Sequence, residues 1–140
     1  MIIRLDMASE VPIYVQLRNA VVVGIGRGEL LPGEGLPTVR QMAEDLGVNS
    51  MTVNKAYAIL KSEGFIEIDR RHGARVNPKK DMFGTFREKA ERELLLLIAE
   101  ATVRGVEKQE FIALCEKVYQ KMSTEQQENE TGGGAKWEWC

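Results

Sequence analysis

The chain has 140 residues, 44% of them hydrophobic and 29% charged, with a formal net charge of −2. That is enough apolar material for one compact domain with an appendage, without disulfides or metals. No uninterrupted apolar run of ~18 residues occurs, so no membrane-spanning helix is expected, and the early Asp6 argues against a signal peptide; the expected location is the cytoplasm. Cys115 and Cys140 lie far apart and His72 is the only histidine, which leaves no plausible zinc ligand set and no cofactor to expect. The charge is uneven: residues 1–80 hold 11 Lys/Arg against 9 Asp/Glu, and residues 81–140 hold 8 against 12. A mildly basic front part is thus carried by an acidic rear part.

In chain order, "IIRL" predicts a short strand. A helix follows through "SEVPIYVQLRNAVVVGIGRGEL", with Pro12 near its first turn, where the missing N–H costs nothing. Ile13, Leu17, Ala20, Val21 and Gly24 form its apolar stripe. "RGELLPGEGLP" is a loop. Thr38, with Gln41 three residues on, forms a capping box for the next helix, whose inner face is Val39, Met42, Ala43 and Leu46. Gly47 ends that helix, and Asn49 caps another that buries Val53, Ala56, Tyr57 and Leu60. Two helices joined by so short a Gly-containing turn match a helix-turn-helix. "FIEIDRRHGARVNP" predicts a β-hairpin directly behind it.

Beyond the polar junction at Pro78, a long helix begins near Asp81, with a seam of Phe83, Phe86, Ala90, Leu94, Leu97 and Ala101. The run Leu94, Leu95, Leu96, Leu97, Ile98 makes its apolar surface wider than one partner helix needs. A last helix ends near Met122, with Cys115 expected among its buried residues. The remainder is polar and Gly-rich and predicts a flexible tail containing Trp137, Trp139 and Cys140. The fold class is therefore mainly α with a small β-hairpin (α+β): a winged helix-turn-helix over residues 1–78, a two-helix dimerisation region over 79–122 and a tail over 123–140.

The second helix of a helix-turn-helix lies in the DNA major groove. The groove is about 12 Å wide, which suits a helix whose outward side chains are short. Met51, Asn54, Lys55, Ala58 and Ser62 point away from the buried stripe, with Ser50 and Thr52 at its flanks. Asn54 can offer donor and acceptor together to an adenine edge, and Lys55 can engage a guanine or a phosphate. Arg40 is placed to reach the backbone. Arg70, Arg71, His72 and Arg75 put positive charge at the hairpin tip, where it could enter a minor groove. Each feature alone is ordinary solvated surface, and a turn contact suits His72 better than catalysis. Their conjunction, in the order a winged helix requires, is what points to DNA.

"LPGEGLPTVRQMAEDLGV" followed by "TVNKAYAILKSEGFI" resembles the GntR family of bacterial transcription regulators, and the short rear part resembles its YtrA subfamily. The resemblance covers roughly residues 4–122. It implies a repressor, in a subfamily that often governs transporter operons; pairing of two copies would make its operator palindromic. It also implies DNA contacts by Arg40, Ser50, Thr52, Asn54 and Lys55, with His72 and Gly73 in the wing. Many relatives carry arginines where Ser50 and Asn54 stand, so the target sequence does not carry over. The wing departs from the family's Gly-x-Gly-Thr-aromatic-Val at Arg71, Ala74 and Arg75, and a more backbone-directed tip is expected.

One recognition helix reads too few base pairs to stand out in a genome. A homodimer is therefore expected, paired through Phe86, Leu94, Leu95, Leu96, Leu97 and Ile98. A small molecule held between the rear helices or at the dimer interface could act as an effector, but the sequence identifies none. An enzyme is disfavoured, because the glycines of "GIGRG" end a helix instead of following a strand. A winged-helix module that binds protein instead of DNA is the remaining alternative.

Overall fold

The computed structural model describes residues 2–78 and 83–131 together with 138–139. These fall into two compact units, one of residues 2–78 with 126–131 and 138–139, the other of residues 83–125.

The first unit is built around three helices. Helix α1, Ile13–Gly26, has Pro12 at its N-cap position, with no side-chain capping bond, and buries Leu17, Val21 and Gly24. Ahead of it, the Gln16 side chain donates to the Asp6 and Val11 carbonyls at 2.9 and 2.8 Å, and its oxygen accepts the Asp6 N–H. One amide side chain thus ties the N-terminal arm across the first turn. Helix α2, Val39–Leu46, starts at Thr38, whose side chain accepts the Gln41 N–H. The reciprocal half of the expected capping box is not made: the Gln41 amide turns forward to Asp45, 2.7 Å away. Gly47, at φ +66°, stops α2 in the left-handed conformation that only glycine adopts cheaply. Asn49 then caps helix α3, Ser50–Ser62, by accepting the Met51 N–H.

Val53, Ala56, Tyr57 and Leu60 of α3 are all buried, as their spacing predicts. They pack with Leu17 and Val21 of α1, Met42 and Ala43 of α2, and Leu30, Leu36, Ile66, Ala74 and Val76 from the loops and strands. Inside this core the Tyr57 hydroxyl donates to the Pro37 carbonyl at 2.7 Å. Burial pushes the phenol well above its ordinary range, so it stays a donor at every ordinary pH. Near the other end of α3, Arg18 makes a two-pronged bond to Glu63, at 3.0 and 2.8 Å, and lies over the Phe65 ring.

Strand β1, Ile2–Ile3, opens the chain. Strands β2, Ile66–Asp69, and β3, Gly73–Val76, form the predicted hairpin, in the register Ile66↔Val76 to Asp69↔Gly73. The loop before α2 joins this sheet. The Gly33 and Leu36 N–H groups donate to the Val76 and Ala74 carbonyls, and Gly35 bridges to Arg75. The wing thus has a third, irregular edge that the Pro/Gly-rich sequence concealed.

The second unit holds helix α4, Phe83–Val103, then Gly105 at φ +81°, then helix α5, Lys108–Thr131, as far as residue 125. The tail expected from residue 123 differs here, since α5 continues to Thr131. "STEQQENET" contains no Pro or Gly and is rich in Glu and Gln, so it prolongs an existing helix despite its polarity. Strand β4, Glu138–Trp139, lies parallel to β1. Trp137 and Cys140 lie outside the described residues, as do the junction at 79–82 and the side chain of Phe83. Cys115 is only half-buried, contrary to expectation.

Tyr57→Phe removes the donor and leaves the half-buried Pro37 carbonyl without it. It should lower unfolding stability by about 1–3 kcal/mol, read from the urea midpoint at unchanged slope.

Candidate nucleic-acid interface

Burial of one side of α3 decides what the other side presents. Ser50, Met51, Asn54, Lys55, Ala58 and Ser62 are all exposed, and Thr52 is half-buried at the flank. Met51 is 76% exposed, so its thioether points outward and does not bend into the core. The bare face is a row of short or slender side chains on a rigid helix.

Lys55 is the one residue here whose charge is held. Its Nζ lies 4.0 Å from the centre of the Tyr14 ring, near the start of α1. Sequence reading took α1 as scaffold and missed Tyr14. The only trace was that Tyr14 falls beside the Ile13/Leu17 stripe, where a large aromatic with a polar tip commonly straddles core and solvent. Arg40, second residue of α2, is fully exposed apart from an ion pair to Glu44 at 3.3 Å. An exposed pair of this kind is weakly held, and the guanidinium can exchange it for a stronger anion.

The wing tip is shaped by Asp69. One carboxylate oxygen accepts the backbone N–H groups of Arg71 and His72, and the other lies 3.2 Å from His72 Nδ1. The His72 backbone bond is the main cause holding the Asp69 carboxyl below its ordinary range. Gly73, at φ +66°, lets the chain turn back into β3. Arg70, Arg71 and His72 are exposed around this turn. Arg75 is placed differently from the sequence expectation. It lies in the body of β3 opposite Glu67, with Nη2 3.1 Å from its carboxylate. Its charge is matched inside the hairpin and does not reach the tip.

In the second unit Phe86, Leu94, Leu95, Leu96, Leu97 and Ile98 are all exposed, Leu95 to 72%. None of them contributes to the buried core. On α5, Ile112, Leu114, Val118 and Tyr119 are exposed as well. Among the described residues no group of three or more His, Cys, Asp or Glu side chains could hold a metal ion. No helix among them is long and apolar enough to cross a membrane.

Residues 13–76 match the gntR family of bacterial regulatory proteins. The chain is 31% identical to the helix-turn-helix regulator YhcF of Bacillus subtilis (strain 168) over 105 residues, 74% of this chain and 87% of that one. It is 35% identical to the helix-turn-helix repressor YtrA of the same organism over 107 residues, 75% of this chain and 82% of that one. Among solved structures it is similar to YtrA from Sulfolobus acidocaldarius, a GntR-family transcription factor. That likeness has 39% identity and a TM-score of 0.57, covering 68% of this chain and 99% of the other. A transcriptional antiterminator from Listeria monocytogenes EGD-e superimposes at a TM-score of 0.78 with 25% identity, covering 84% and 90%. The chain belongs to the gntR family: it is a transcriptional regulator with a winged-helix DNA-binding domain, and not an enzyme.

Because the folded-state pKa of Asp69 lies below its unfolded value, its support of the tip is complete above the unfolded value. That support disappears as pH falls through the folded one. An NMR titration should place the Asp69 midpoint below that of an ordinary aspartate. Asp69→Ala should speed amide exchange at Arg71 and His72 while leaving α3 protected.

Proposed function

We propose that this gntR-family chain is a sequence-specific repressor that binds a palindromic operator as a homodimer, each subunit laying α3 in the major groove and its wing beside the minor groove. The observation that carries this is the bare side of α3. A helix buried along one whole face exposes Ser50, Asn54, Lys55, Ala58 and Ser62 on the other, all short or slender beside the pliable Met51. Asn54, near the middle of that face, is the side chain best suited to a base edge, since its amide pairs with the donor–acceptor pattern of adenine. Ser50 and Thr52, in the first turn, suit phosphates at the helix N-terminus. Arg40 adds a backbone contact from α2. Arg70, Arg71, His72 and Gly73 form the wing's contact, with Arg75 supporting it from within.

Repression is supported by the likeness to a relative named a repressor. A transporter operon as target rests on the subfamily resemblance alone. Dimerisation rests on α4. Five consecutive apolar side chains at 94–98, all exposed within one chain, are more apolar surface than a lone helix can keep in water. A second copy supplies the same face in reverse, and the pairing sets two α3 helices against half-sites about 10 base pairs apart or a multiple of that. Residues 1–78 would then be the reading head and 79–122 the coupling region.

Selection of bound duplexes from random sequence should return a symmetric site. Asn54→Ala should relax the preference at one position per half-site, at a cost of about 1–3 kcal/mol. Arg40→Ala should weaken binding to all sequences alike. An unchanged selected motif with Asn54→Ala would remove Asn54 from base reading.

Leu95→Glu and Leu96→Glu should each give monomers in sedimentation, with operator affinity lowered at least tenfold. A dimer persisting in both would remove α4 from the interface.

A further inference from the structure

We propose that Tyr14 is a positioning residue for nucleic-acid binding: its ring fixes the Lys55 ammonium beside α3 as a preset contact for one backbone phosphate. The inference rests on reading α3 as the helix that enters the groove.

The Lys55 Nζ lies 4.0 Å from the Tyr14 ring centre, well inside the ~6 Å range over which a ring face attracts a cation. The ring is itself anchored. Tyr14 is half-buried, packs against the hydrophobic core, and sits in the turn of α1 that Gln16 ties to the N-terminal arm. Among the described residues no carboxylate lies within ion-pair distance of Lys55. Its charge is therefore confined by an aromatic face and not neutralised by an acid.

An ammonium resting on a ring uses one side of itself, and its remaining N–H donors stay available to an anion. A lysine on an open helix face loses much of its rotamer freedom when it is immobilised on DNA. Here much of that loss has already occurred in the free protein, so the contact is preorganised. The same restraint shortens the side chain's reach. Bent back toward α1, Lys55 stands at the edge of the helix face and not over its centre. Of the two partners its chemistry allows, guanine or phosphate, the geometry selects phosphate. Lys55 then adds affinity without sequence preference, and Asn54 is left to read the base.

The test uses the full chain, NMR of the lysine ε-methylenes, and a short mixed-sequence duplex titrated over a range of salt. The Lys55 ε-methylene should be shifted upfield by the ring current in the wild type and in Tyr14→Phe, and return to the ordinary lysine position in Tyr14→Leu. Lys55→Ala should weaken duplex binding and reduce the log–log salt slope by about one unit, for one phosphate lost. Tyr14→Leu should weaken binding about two- to fivefold with the slope unchanged, the size expected of an exposed cation–ring contact. Tyr14→Phe should bind as the wild type does, and Tyr14→Leu should add nothing in the Lys55→Ala background. Three results would each overturn the role of Tyr14: no upfield shift in the wild type, equal losses from Tyr14→Phe and Tyr14→Leu, or a further loss from Tyr14→Leu once Lys55 is gone. Each of these leaves duplex binding itself intact. A wild type with no salt-sensitive affinity for duplex DNA sinks the proposed function and this role together.

Discussion

The buried face of α3 is the constraint on which the rest of the first unit depends. Val53, Ala56, Tyr57 and Leu60 take up the inner side of the helix entirely, so α1, α2 and the wing can only be arranged around it. Tyr57 sets the arrangement more tightly than apolar contact could. A hydrophobic face tolerates rotation and sliding, whereas a buried hydroxyl must find its acceptor, and the acceptor is the carbonyl just ahead of α2. One hydrogen bond therefore ties the middle of α3 to the start of α2, and the outward row of side chains inherits that restraint. Near the far end of α3 the Arg18–Glu63 pair does a similar job against α1, in a half-buried setting that screens it from solvent.

Much of this was legible because it is periodic. The i, i+3, i+4, i+7 spacing of α2 and α3 gives both helices and both inner faces, and Thr38, Gly47 and Asn49 carry the chemistry of the ends. What escaped was non-periodic. Arg75 reads as part of a basic tip in "DRRHGAR", yet strand alternation and register set it across from Glu67, eight residues back along the chain. Tyr14 and Lys55 are 41 positions apart and meet only because α1 lies across α3. No local pattern announces such a meeting. The Gly33–Leu36 edge escaped for a related reason: its ladder partners are supplied by β3, and Gly and Pro argue against a strand when read alone.

The second unit carries a different lesson. Polarity after residue 122 reads as disorder, but a helix already under way needs only residues that do not stop it, and Glu, Gln, Ser and Thr do not. Conversely, the leucine run of α4 is plain in the sequence, but whether it is buried is not a local property. Within one chain these side chains remain in solvent, and α5 has exposed apolar groups of its own. Helices of this kind reach a low-energy state only by finding more apolar surface.

The third edge of the wing links two regions that the sequence presents as separate. The loop before α2 and strand β3 share hydrogen bonds at Gly33, Glu34 and Leu36, with Gly35 set opposite Arg75. Loss of a single residue between Pro32 and Pro37 would shift that pairing by one step, and in a sheet one step exchanges inside for outside. Leu36 would be drawn from the interior and a glycine offered in its place. Length, more than composition, is thus what this stretch must keep for the pairing to hold.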